Sequence, residues 1–234
     1  MGLYDRNYIQ QRSNEEVHEH APSREGSLGL FIKQTYQLFA ASLLAASAGA
    51  YIGVGMAATV ASWFWGLVIL EFVFLFGLYA AKRKAGLNML LLFGFTFLSG
   101  LTLTPLLSSI LGMAGGASIV ANAFILTTVA FGGLSVFAMN TKRDFSGMGK
   151  MLFITLIVVV VAGLMNIFFH SPILQLAIAS VSSILFSAFI LYDTQNIIRG
   201  AYETPIEGAI ALYLDFLNLF VSLLQILGIF GRDE

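Results

Sequence analysis

Seven stretches of this chain are each long and apolar enough to cross a bilayer as a helix, and nothing else in the sequence constrains the fold as tightly. A bilayer's hydrocarbon core asks for ~20 mostly apolar residues in helical form. The stretches run over Leu30–Gly53, Val60–Ala81, Leu87–Leu111, Ala117–Met139, Met151–Phe169, Pro172–Ile198 and Pro205–Phe230. Hydrophobic residues make up 58% of the 234 and charged ones 11%, where an average soluble domain carries about 25% charged. A water-soluble fold would lack the charge to stay in solution, so the first partner is the lipid bilayer. The connections between stretches are short, which predicts an all-α membrane protein of seven transmembrane helices. Residues 28–231 then form one domain with no soluble module. The net charge of −1 gives no reason to expect a nucleic-acid partner. With no cysteine, disulfides, thiolate zinc sites and cysteine nucleophiles are excluded.

Residues 1–27 are polar, mixed in charge and lack an apolar run, so they read as a disordered cytoplasmic tail rather than a cleaved signal peptide. His18 and His20 stand there among Glu15, Glu16 and Glu19, a pattern open to metal binding, though such clusters belong more often to solvated tails. Orientation follows from the basic residues. With the N-terminus inside, Arg6, Arg12, Arg24, Lys33, Lys82, Arg83, Lys84, Lys142, Arg143, Lys150 and Arg199 all fall on the inner side. That is 11 of the 12, with Arg232 the exception. The outer connections near Thr59, Gly115 and Ser171 hold none, as the positive-inside rule requires of short loops. The expected topology is N-terminus in the cytoplasm and C-terminus outside. Gly49 and Gly53 have the spacing that lets membrane helices approach closely, and Pro105 should kink the third span.

Three acids lie within apolar spans: Glu71, Asp193 and Asp215. An ionised group at the centre of a membrane helix costs ~2.5–3.5 kcal/mol on insertion scales, so such residues face the bundle interior, carry a proton or find partners. The last hairpin relates the two aspartates. Gly200 is a natural helix stop, and Thr204-Pro205-Ile206-Glu207 reads as an N-cap, a first-turn proline and a capping-box glutamate. At ~1.5 Å per residue, Asp193 lies about 10 Å before that stop and Asp215 about 15 Å beyond that start. Antiparallel neighbours would put both carboxyls at similar depth, near the inner side. Asp215, Asn218, Ser222 and Gln225 share one face of the last helix, which Gly208 and Ala211 extend inward. Interhelical bonding alone would account for Asn218, Ser222 and Gln225, but poorly for a second aspartate at matching depth. Two carboxylates a few ångströms apart do not readily both ionise, so such a pair titrates as a unit. Carboxylate oxygens also suit calcium, and a weak oxygen site suits permeation.

The run Leu191-Tyr192-Asp193-Thr194-Gln195, followed by Leu212-Tyr213-Leu214-Asp215-Phe216-Leu217-Asn218-Leu219-Phe220, resembles the signature of the transmembrane Bax inhibitor motif family in its bacterial branch. Thr141-Lys142-Arg143-Asp144-Phe145-Ser146-Gly147 with Met151-Leu152-Phe153 is similar to that family's loop between its fourth and fifth helices. The likeness covers essentially residues 28–231. It implies a bundle wrapped around a central seventh helix, in a bacterial inner membrane. It further implies a pH-sensitive calcium leak in which Asp193 and Asp215 sense pH, hold calcium only weakly and transiently, and close the path when ionised and bridged to a basic residue of the second helix. That partner maps onto Lys82 or Arg83, between which the run Lys82-Arg83-Lys84 does not choose. Glu71, Asn218, Ser222 and Gln225 fall to the polar core or pore lining. Many members carry a basic residue at the position of Gln225 that could answer Glu71, and the neutral glutamine here removes it.

The expected function is thus a proton-gated calcium leak, with no enzymatic activity, no cofactor and calcium as the permeant ion. The alternative is a regulatory protein that binds a membrane-bound AAA protease, with the polar tail as the segment offered. An intramembrane aspartyl protease is disfavoured, because Leu212-Tyr213-Leu214 before Asp215 puts bulky residues where close approach of a substrate backbone needs glycine. His170, beside Ser171 and Pro172, reads as a helix end rather than a base.

Overall fold

The computed structural model describes residues 24–231, all of whose regular structure is helical: α1 Arg24–Gly55, α2 Ala57–Ala81, α3 Leu87–Thr102, α4 Thr104–Leu111, α5 Gly116–Asn140, a 3-10 turn Ser146–Met148, α6 Gly149–Phe169, α7 Pro172–Ile198 and α8 Pro205–Phe230. The α3–α4 pair forms the third of seven spans. His18, His20, Arg232 and the tail as far as Ser23 lie outside the described residues. Arg24 to Ser27 belong to α1 rather than to a tail; a helix already nucleated in the bilayer gains one backbone bond for each residue it adds.

Sequence punctuation sets the helix ends. Pro105 cannot donate to the carbonyl of Leu101, and the third span breaks at Leu103 between α3 and α4. His170 closes α6 in the left-handed region, its N–H on Asn166 O. Gly200 takes φ +66° past the end of α7. The N–H groups of Gly200 and Ala201 bond the carbonyls of Ile197 and Asn196 at 3.1 and 2.8 Å, the paired closure of a Schellman motif. Four residues later α8 opens with the expected capping box. Thr204 Oγ1 accepts from Glu207 N, while Glu207 Oε2 accepts from Glu203 N and Thr204 N.

Lipid removes the hydrophobic drive between helices and leaves close packing to hold them. The α1–α3 contact shows this most plainly. A Cβ on Gly49 would stand 2.1 Å from Phe97 O, and one on Gly100 would stand 2.0 Å from Ala46 O, so the two backbones touch. The central element is α8, packed by α1, α3, α5 and α7 and buried over most of its circumference, whereas α6 buries only Leu152. Phe39 stacks on Phe131 at 4.8 Å and both meet Phe216 edge-on. The buried Tyr213 phenol bonds the Ser99 hydroxyl, as a phenol held away from water requires. Helix α2 packs chiefly on α3, and α6 on α7. Both are outer helices, and the face of α8 that looks out between them is left uncovered.

Candidate functional site

That uncovered face borders a cavity of about 740 Å³. Its wall on α8 includes Asp215, Asn218, Ser222 and Gln225, the polar stripe, together with the half-buried Leu214 and Val221. Glu71 of α2 and Asp193 of α7 complete the acids. Gly208 departs from the stripe: a Cβ there would meet Thr35 and Ile197, so it serves the packing of α8 on α1 and α7. A second, smaller space beyond Gln225 is bordered by Asn166, His170 and Gln175 and shares Gly163, Ile178 and Gln225 with the first. Polar groups therefore recur from the His170 end of the bundle to the aspartates.

Asp193 on α7 and Asp215 on α8 border the same cavity. Both are buried, at 6% and 4% exposure, and their carboxyls lie close enough to act on one another. Among the described residues, no N–H or hydroxyl donor reaches Asp215 Oδ2. Asp193 is better served: Tyr202 Oη donates to its Oδ1 at 2.6 Å, with Asn196 Nδ2 at 3.4 Å. Burial, with the Asp193 carboxylate beside it, pushes the Tyr202 phenol well above its ordinary value. It therefore stays protonated, and a donor, across the physiological range.

Glu71 accepts from Thr102 Oγ1 at 2.8 Å, a partner on α3 rather than at Gln225. Asn218 and Ser222 bond the carbonyls of Leu214 and Asn218 in their own helix, at 2.7 and 2.6 Å. These bonds stay within α8, and both residues border the cavity.

Lys82 and Arg83 are not on the aspartates. Lys82 Nζ lies 2.6 Å from Glu207 Oε1 and 3.1 Å from Glu203 Oε2, and Arg83 Nη2 lies 2.7 Å from Glu203 Oε2. Lys82 caps the end of α2, level with the α7–α8 connection, and the first carboxylates it meets are those of Glu203 and Glu207. Nearby, Arg199 pairs with Asp144 at 2.5 Å. Gln195 clamps the α5–α6 connection, donating to Arg143 O at 2.7 Å and accepting from Phe145 N at 2.9 Å. Three connections are thus bound together at the basic end of the bundle, just beyond the aspartates. Sequence reasoning missed Tyr202, Glu203 and the second role of Glu207. Only the alternation of spans hinted at them, by bringing the Lys82 and Glu203 segments to one end.

A family model described as "Inhibitor of apoptosis-promoting Bax1" matches residues 28–232. An uncharacterised protein of Campylobacter jejuni is 61% identical over 99% of both chains. An uncharacterised membrane protein of Vibrio cholerae is 40% identical over 87% of this chain and 91% of its own. The Golgi anti-apoptotic protein of vaccinia virus is 36% identical over 68% of this chain and 65% of its own.

Proposed function

Because the chain belongs to the Bax inhibitor-1 family of multi-pass membrane proteins, we propose that it is a pH-sensitive calcium leak of a bacterial inner membrane, gated by Asp193 and Asp215. The observation that carries the reading is the placement of two buried carboxyls, from facing helices, on one cavity that the polar stripe of α8 also borders. Two such groups share protons and titrate together, which makes the pair responsive to pH without any further device. A cavity offering few oxygens holds calcium weakly, and passage needs weak sites. The basic end faces the cytoplasm by the distribution of Lys and Arg.

Closure at that end is made by Tyr202. A phenol donating to an ionised carboxylate forms a short, charge-assisted bond, which ties the α7–α8 connection to Asp193. Protonation of Asp193 removes the charge, weakens the tie and frees the connection, so flux rises as pH falls. Lys82, held by Glu207, is the nearby cation that a fully ionised pair would draw inward. The test is calcium flux into proteoliposomes holding only this protein, from alkaline to acid pH. Rising flux with acidification that flattens in Asp193→Asn and Asp215→Asn is expected. A flat wild-type profile rejects the reading and leaves the aspartates structural.

A further inference from the structure

The cavity between α2 and α6 is chemically one-sided. Among the described residues it is bordered by three acids, Glu71, Asp193 and Asp215, and by no lysine, arginine or histidine. Asp215 Oδ2 sits there without a donor on a residue 4% exposed. The remaining wall is largely apolar and aromatic, with Phe72, Phe95, Phe186 and Phe189 among its members. Phe72 and Val160 border the cavity and are also 53% and 51% exposed, so it opens sideways between α2 and α6, toward lipid.

A tight calcium site takes roughly six to eight oxygens, and among the described residues no three acidic or histidine side chains come together. An organic cation asks for less. One or two carboxylates answer its charge, aromatic faces add attraction, and the rest of its surface lies against apolar walls. The volume of about 740 Å³ falls within the ~300–1,000 Å³ usual for pockets that take such molecules.

We propose that this cavity binds a lipophilic organic cation, admitted from the membrane between α2 and α6. Its charged centre is drawn to the carboxylates that border the cavity, and its body lies against the phenylalanines. The proposal stands apart from calcium passage: either can fail without the other. A lipid tail is the competing occupant, and charge separates the two.

The experiment uses the full chain in phosphatidylcholine nanodiscs at neutral pH. Binding of radiolabelled tetraphenylphosphonium is measured against empty nanodiscs, with triphenylphosphine oxide as the uncharged competitor. Saturable binding is expected, weakened about ten-fold or more in Glu71→Gln and in Asp215→Asn, as loss of a charge-assisted contact implies. The phosphine oxide should not displace the probe. Val160→Trp narrows the opening at an exposed position without touching an acid, and should also weaken binding. Displacement by the neutral competitor, binding no greater than to empty nanodiscs, or unchanged affinity in both acid variants overturns the proposal.

Discussion

Tyr202 shows how much one hydroxyl can carry when it stands beside a buried acid. Its removal in Tyr202→Phe leaves Asp193 Oδ1 with only the long contact to Asn196. An acceptor buried without its donor costs ~1–3 kcal/mol. A lower thermal unfolding midpoint in detergent at neutral pH is expected. Under the proposed function, resting calcium flux should also rise toward the acid level, because the tie from the α7–α8 connection is gone. Unaltered flux at every pH in a variant that binds and folds normally would remove Tyr202 from the closure. The aspartates themselves were legible by counting along two helices from Gly200 and Pro205. Tyr202 was not. It sits nine residues beyond Asp193 on the far side of the helix stop, and the direction of the chain there depends on the left-handed turn at Gly200 and on where α8 docks. The same holds for Lys82, whose helix was placed correctly while its partners were not. The nearest carboxylate to a flexible ammonium is decided by loop geometry, and Glu207, read as a cap, has a second oxygen free to receive it.

Among elements, α1 and α3 make the tightest contact, and it should be the least tolerant. Gly100→Ala places a methyl 2.0 Å from the Ala46 carbonyl oxygen, which is backbone and cannot swing aside. Overpacking of this kind typically costs ~1–3 kcal/mol, or more where backbone must move. Gly163→Ala, with open space around its Cβ, is the matched control. The expected result is a clear drop in unfolding midpoint for the first and little change for the second. Equal midpoints would show that the two helices separate readily. The Gly49–Gly53 spacing had marked one side of this contact in advance. The other side, Gly100 near the proline break, carried no periodic signal. Helix boundaries came through well because bilayer thickness, Pro105, Gly200 and the Thr204–Glu207 cap are all local or one-dimensional constraints. What periodicity could not tell was which helix leaves which face bare. In lipid the outward faces are as apolar as the inward ones, so the cavity between α2 and α6 had no signature beyond the polar stripe on α8.

Across the whole molecule, the proposed function assigns the response to pH to the aspartates and not to the ion pairs. Asp144 is held down to about 2 by the Ser146 backbone N–H and by Arg199, and Arg83 and Lys82 hold Glu203 below the usual carboxylate range. For groups depressed in this way, the stabilisation is complete above the unfolded value, ~4 for a carboxylate, and fades only as pH falls through the lower folded value. Asp144 and Glu203 therefore stay ionised through any physiological acidification, so under the proposed function the clasp they form is not the sensor. Asp144→Asn and Glu203→Gln should lower the unfolding midpoint yet leave the midpoint of the flux–pH curve in place. A displaced curve in either would move the sensor into the connections. The aspartate variants should behave in the opposite way. Carrying a gate from mostly closed to mostly open takes ~5.5 kcal/mol of differential stabilisation, and one proton supplies ~1.4 kcal/mol for each unit by which a group's pKa differs between the two states. A lone acid would need a difference of roughly four units, whereas two coupled acids need about two each. A steep profile thus requires both members of the pair. Asp193→Asn and Asp215→Asn should each spread the response over a wider pH range. Asp193→Asn should be leaky at neutral pH, because the neutral amide gives Tyr202 a weaker acceptor than a carboxylate. Flux through either variant as steep in pH as the wild type would show that one acid suffices and that coupling between the two does not set the gate.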